Sequence, residues 1–134
     1  MAPFSSATAI RNPHTAGYNT LIEQLIIYYQ HEKPYLNPKL KVDDVASKLN
    51  SSQKAIAIAL RVYKGINFNM FTNQFRVEAA RFLLGNPVFS HYSIMDIARN
   101  SGFGSKQSFY TAFEQVTGTN PGQYRKQLLS RLEK

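Results

Sequence analysis

The sequence predicts an all-α protein of about seven helices, organised as two helix-turn-helix subdomains joined by a long connecting helix. Three observations predict it. Apolar residues recur three and four positions apart along most of the chain after Tyr18. The periodic stretches are bounded by Ser, Asn, Gly and Pro where helices start or stop. The first half also repeats in the second: Val45 and Ala46 recur as Ile97 and Ala98, 52 positions on, and Ile56, Ala59, Leu60 and Gly65 recur as Phe109, Ala112, Phe113 and Gly118, 53 positions on. The 134 residues fit one compact unit or two small lobes sharing a connector.

Residues 1–17, rich in Ala, Ser, Thr and Pro without a period, read as a tail or linker remnant. Residues 18–37 read as an N-terminal helix and an extended approach: Leu21, Leu25, Ile26 and Tyr29 form a helical stripe ending near Glu32, and Pro34 and Pro38 bias the residues before them to extended backbone. The double helix-turn-helix domain is expected over 38–134, with lobe one at 38–66, the connecting helix at 67–85 and lobe two at 93–134. In lobe one, Asp43 and Asp44 suit the positive end of a short helix with Val42, Val45, Ala46 and Leu49 inward. Ser52 caps a second helix to about Lys64 with Ile56, Ala59, Leu60 and Tyr63 inward, and Gly65 closes it. The connecting helix places Phe68, Phe71, Phe75, Ala79, Phe82 and Leu83 inward and extends about 27 Å. Gly85, Asn86 and Pro87 end it, and "VFSHY" reads as a loop. In lobe two, Ser93 caps a helix to Asn100, Gly102 turns the chain, and Ser105 caps a helix to Gly118 with Phe109, Ala112, Phe113 and Val116 behind. Asn120 and Pro121 start the last helix, with Tyr124, Leu128 and Leu132 as its stripe.

The net charge is +8, and the excess is uneven. Up to Asn37, Arg11 and Lys33 cancel Glu23 and Glu32; after it, 14 basic residues face 6 acidic ones. That favours an anionic partner for the basic part. No run approaches the roughly 20 apolar residues of a bilayer span, so no membrane contact is expected of this segment. No signal peptide is legible, and with zero cysteines a cytoplasmic setting is expected. His14, His31 and His91 lack ligand spacing, "GFG" at 102–104 follows no strand, and no serine sits in a nucleophile elbow. The expectation is a protein that is not an enzyme and holds no metal and no cofactor; the aromatic stripe of the connecting helix reads as core.

A protruding helix that enters a groove of DNA must be apolar behind and polar in front. In lobe two Lys106, Gln107, Tyr110 and Thr111 face away from the apolar back, and Gln and Lys can read adenine and guanine edges respectively. One amphipathic helix of this kind is an ordinary solvated face. Two, with matching spacing and the basic excess confined to their region, favour double-stranded DNA. The competing reading is a basic helical interaction module that binds an acidic protein or a membrane surface.

From about Tyr35 to Arg125 the chain resembles the DNA-binding domain of AraC-type bacterial transcription factors. The resemblance rests on "LKVDDVASKLNSSQKAIAIALRVYKG", "NQFRVEAARFLL" and above all "SIMDIARNSGFGSKQSFYTAFEQVTGTNPGQYR", where Ile97, Ala98, Gly102, Phe103, Phe109, Phe113, Gly118, Pro121, Tyr124 and Arg125 match the family's pattern. "EKPYLNPKLKVDDVA" is similar to the output domains of membrane-linked or two-component members. The resemblance implies two recognition helices, starting at Ser52 and Ser105, in successive major grooves. It places Lys54, Ala57 and Ile58 of the first and Lys106, Gln107, Tyr110 and Thr111 of the second toward bases, and Ser52, Arg61, Ser105, Asn120 and Gly122 toward phosphates. Arg76 aligns with a connecting-helix arginine that is equally a structural partner or a DNA contact. The chain departs from the family at Ile58 and Thr111, where members often carry arginine, and in a longer loop from Gly85 to Tyr92. The first helix is therefore expected to meet thymine methyls or to position the protein on phosphates, leaving most discrimination to the second. The resemblance further implies regulation of transcription by helping place RNA polymerase. A sensor or receiver domain in a longer chain is expected, ahead of the alternative of a small regulator controlled by its abundance.

Overall fold

The structure is a computed structural model that describes residues 16–132. The expected tail lies outside the described residues up to position 15, as do His14 and the side chain of Leu132. Among the described residues there are seven α-helices and no strand: α1 (Ala16–Glu32), α2 (Val42–Lys48), α3 (Gln53–Lys64), α4 (Phe68–Gly85), α5 (Ile94–Asn100), α6 (Lys106–Thr117) and α7 (Pro121–Leu132). Single 3-10 turns occupy Pro34–Leu36 and Pro87–Phe89. The chain forms two compact units. The first takes in α1, α2, α3 and the start of α4 as far as Phe71; the second takes in Tyr35–Lys39 and the chain from Thr72 onward.

In the first unit α1 packs along α3. Leu21, Ile22, Leu25 and Tyr29 of α1, Val45 and Ala46 of α2, Ile56, Ala59 and Leu60 of α3, and Phe71 are buried. The Tyr29 and Phe71 rings meet edge to face at 4.8 Å. The stripe of α1 departs from expectation at one position: Ile22 is buried, and Ile26 is only half-buried. Positions 22, 25 and 29 keep the three- and four-residue spacing, and residue 26, one step on from 25, turns onto the flank. Local chemistry fixes the helix ends. The Asp44 carboxylate accepts the Lys41 N–H at 3.0 Å, and Ser52 Oγ accepts the Ala55 N–H at 3.1 Å. Gly65, at φ 69°, donates its N–H to the Arg61 carbonyl at 3.1 Å. In the turn between α2 and α3, Asn50 takes a left-handed conformation, φ 52°, which asparagine tolerates better than most residues.

The second unit centres on Val77, Ala80 and Leu84 of α4, Ile97 and Ala98 of α5, Phe103 in the turn, and Phe109, Ala112 and Phe113 of α6. The structure corrects the expected stripe of α4. Phe82 is 64% exposed, Phe68, Phe75, Ala79 and Leu83 are half-buried, and the deep row is 77, 80 and 84. Phe82 stands about 200° round the helix from Ala80, so weighting the aromatics rotated the inferred face away from the smaller residues that fill the core. Val116, expected behind α6, is 38% exposed, because the burial stops one turn before the helix does.

The approach expected to be extended instead forms the 3-10 turn Pro34–Leu36. Proline fixes a φ that suits the first position of a turn, and tertiary contacts hold the residues after it. Tyr35 is buried with its ring 5.4 Å from that of Phe75. Arg76 donates from Nε to the Tyr35 carbonyl at 2.7 Å and from Nη2 to the Asn37 carbonyl at 2.9 Å, with its guanidinium 6.0 Å from the Phe103 ring centre. Arg76 is thus a structural tie. Arg76→Met is expected to lower the unfolding free energy by about 2 kcal/mol, since both carbonyls lose a charged donor; chemical denaturation measures it. The "VFSHY" loop begins inside the turn Pro87–Phe89, and Arg125 holds its Phe89 and Tyr92 carbonyls at 2.9 and 2.6 Å.

Ser93 and Asp96 form a reciprocal cap on α5: Ser93 Oγ accepts the Asp96 N–H at 3.0 Å and Asp96 Oδ2 accepts the Ser93 N–H at 2.9 Å. The bond from the Ser93 N–H, helped by the Ser93 side chain, holds the Asp96 carboxyl below its ordinary pKa of 3.8. Because folding lowers this pKa, the contribution of Asp96 is fully present above 3.8 and fades as pH falls through the lower folded value. Ser93→Ala is expected to cost about 1 kcal/mol at neutral pH. Thermal unfolding of Asp96→Asn between neutral pH and about pH 3 is expected to lose the part of the acid-side decline that this carboxyl causes.

Candidate nucleic-acid interface

Each unit contains a short helix, a tight turn and a longer amphipathic helix, α2 with α3 in the first and α5 with α6 in the second. In the first unit Ile56, Ala59 and Leu60 anchor α3 in the core. Lys54, Ala57 and Arg61 are exposed on its outer side with Ser52 at its start, and Ile58 is half-buried. The outer face of α3 is thus an apolar strip, Ala57 with the flank of Ile58, between two cations. It offers no carboxamide or hydroxyl among the expected base contacts.

In the second unit Phe109, Ala112 and Phe113 anchor α6. Lys106, Gln107 and Thr111 are exposed, and Tyr110 is half-buried. Four-residue spacing sorts the outer side chains into two rows. One row is Lys106 and Tyr110, with Lys106 Nζ 5.4 Å from the Tyr110 ring centre. That ring also meets Phe109 edge to face at 6.0 Å and packs against the core. Tyr110 therefore serves first as a shelf that steers the lysine, worth about 0.5–1 kcal/mol for an exposed cation over a ring. The other row is Gln107, Thr111 and Gln115, which with Ser105, Ser108 and Asn73 of α4 borders a shallow notch. Asn73, Ser108 and Gln115 are absent from the residues singled out in the sequence. Gln115 was recoverable there, since it continues the four-residue step from Gln107 and Thr111; nothing local distinguishes Asn73.

The expected phosphate contacts share one trait, that most are helix caps. Ser105 Oγ accepts the Ser108 N–H at 3.1 Å, and Asn120 Oδ1 accepts the Gln123 N–H at 2.8 Å. Asn120 and Gly122 are half-buried, and Gly122 follows Pro121, which has no N–H to offer. The Gly122 N–H belongs to the first turn, where no intrahelical carbonyl reaches it. Of all the expected contacts only Lys54, Arg61 and Lys106 carry charge. His31 and His91 are exposed, and His91 lies against the Tyr92 ring at 4.9 Å. Among the described residues there is no cluster of three metal-ligating side chains and no helix long and apolar enough to cross a membrane.

Residues 45–127 match the family model described as a helix-turn-helix domain. The chain is similar to the regulatory protein PocR of Salmonella typhimurium, 36% identical over 94 residues that cover 70% of this chain and 30% of that protein. It is 36% identical over 89 residues to the melibiose operon regulatory protein of Escherichia coli, covering 65% of this chain and 28% of that one. The chain thus spans under a third of the length of these two relatives. Among solved structures it resembles the C-terminal domain of AraT, a response regulator from Geobacillus stearothermophilus, with a TM-score of 0.68 and 28% identity over 79% of this chain and 84% of that one.

Proposed function

The chain belongs to the AraC-type helix-turn-helix family, and from that premise we propose that it binds double-stranded DNA sequence-specifically to regulate transcription, α3 and α6 entering successive major grooves. The observation that carries this reading is the second reading helix: an apolar back formed by Phe109, Ala112 and Phe113 under an outer surface of Lys106, Gln107 and Thr111. The apolar strip on the outer face of α3, flanked by the exposed Lys54 and Arg61, supports a division of labour in which α3 meets thymine methyls and phosphates while α6 discriminates. Action in the cytoplasm and placement of RNA polymerase belong to the same proposal.

A labelled duplex selected from a random pool tests it, titrated at several salt concentrations beside a scrambled duplex. The selected duplex is expected to bind at least about a thousandfold tighter, and log affinity is expected to fall linearly with log salt. Equal affinity for both duplexes would favour a basic surface for an acidic protein or membrane instead. Arg61→Ala is expected to weaken binding to both duplexes alike and to reduce the salt slope by about 1, the signature of a lost phosphate contact.

A further inference from the structure

The notch beside α6 has no charged side chain on its border. Asn73 comes from α4; Ser105, Gln107, Ser108, Thr111 and Gln115 come from α6 and its cap. All belong to the second unit, so one compact body presents them together. Asn73 is half-buried, and within the described residues its carboxamide makes no side-chain hydrogen bond; the same holds for Gln107, Thr111 and Gln115. These side chains therefore keep their donors and acceptors open to a ligand that enters the notch.

The chemistry of the border says what pairs with it. A phosphate offers acceptors only and draws lysine and arginine most strongly, and the border has neither; its Ser105 cap is the one member expected to meet a phosphate. A base edge offers donors and acceptors side by side, which a carboxamide matches; Asn and Gln both pair bidentately with the N6 and N7 of adenine. The border places three carboxamides, on Asn73, Gln107 and Gln115, beside the hydroxyls of Ser105, Ser108 and Thr111.

We propose that Asn73, on the connecting helix rather than on a reading helix, contacts a base and determines specificity at one position of the half-site read by α6. The proposal rests on the DNA-binding reading above. It adds a reader that the helix-turn-helix unit alone does not contain, and it makes the recognised sequence depend on how α4 and α6 meet within the second unit.

The test compares the full chain with Asn73→Ala and with the isosteric Asn73→Asp, each assayed for thermal unfolding and for base preference by selection on random duplexes. Asn73→Ala is expected to bind the wild-type selected duplex about tenfold more weakly, to keep its affinity for generic duplex, and to lose preference at one base pair. Asn73→Asp is expected to keep the wild-type melting temperature and to shift that same pair from adenine toward cytosine, whose N4 amino group a carboxylate accepts. Should the alanine variant melt early, the aspartate variant decides. Unchanged preference in Asn73→Asp overturns the proposal, as does an equal loss on selected and generic duplex in a folded Asn73→Ala. A wild-type chain that selects no sequence overturns the DNA-binding reading itself, a different result from a specific wild type with an indifferent position 73.

Discussion

Gly102→Ala is expected to be the most damaging single substitution in the second unit, lowering the unfolding free energy by about 3–5 kcal/mol. Two effects add. The backbone at Gly102 sits at φ 94°, which L side chains rarely adopt. A Cβ there would also collide with the Tyr35 carbonyl oxygen and lie 2.9 Å from the Leu36 Cα, both backbone atoms that cannot rotate aside. The same oxygen accepts the Arg76 bond, so displacing it disturbs the tie from α4 as well. Gly65→Ala separates the two effects. Gly65 is also left-handed, at φ 69°, but nothing lies within 4 Å of its would-be Cβ, so only backbone strain applies and the loss is expected to be about 1 kcal/mol. Chemical denaturation of both variants checks the prediction; equal losses would show that strain alone governs and that the close approach at Gly102 relaxes without penalty.

Gln107→Ala is expected to cost about 1–3 kcal/mol of discrimination on the selected duplex while leaving generic binding nearly intact. Gln107 lies in the first turn of α6, the part of a reading helix that reaches base edges, and it is exposed. Lys106→Ala is expected to look different. Its ammonium, steered by the Tyr110 ring, contributes attraction toward phosphate as well as readout, so generic binding falls too and the salt slope drops by up to about 1. Selection on random duplexes with each variant distinguishes the two. Strongest preferences in the half-site under α3 would contradict the assignment of discrimination to α6.

How much of the molecule was legible in the sequence depends on how local each signal is. Ser52, Ser93 and Ser105 each accept an amide three residues on, and Gly65 and Gly118 each close a helix in the left-handed conformation. Such features depend on a few neighbouring residues, so composition and spacing reveal them. The face of α4 depends on what packs against it. Val77 and Ala80 are fully buried while Phe82 is exposed, because the residues filling a tight contact are small and an aromatic-weighted reading turns away from them. The turn at Pro34–Leu36 was hidden for a similar reason: Phe75 and Arg76, some 40 residues later, hold Tyr35 and its carbonyl. Asn73 was invisible because its neighbours Gln107, Thr111 and Gln115 lie more than 30 positions away. In the candidate interface the outer residues of α6 followed from period, and those of α3 only from the family resemblance; the partial burial of Tyr110 and Ile58 required the fold.

The short stretch Tyr35–Lys39 belongs to the second unit although the residues on both sides of it belong to the first. The polypeptide therefore passes between the two bodies three times, at Pro34, at Leu40 and at Phe71. No single cut yields two self-sufficient halves: a fragment starting at Thr72 would lack the carbonyls that Arg76 grips and the ring that covers Phe75. Dissecting the molecule calls for a circular rearrangement or a grafted peptide in place of a simple truncation.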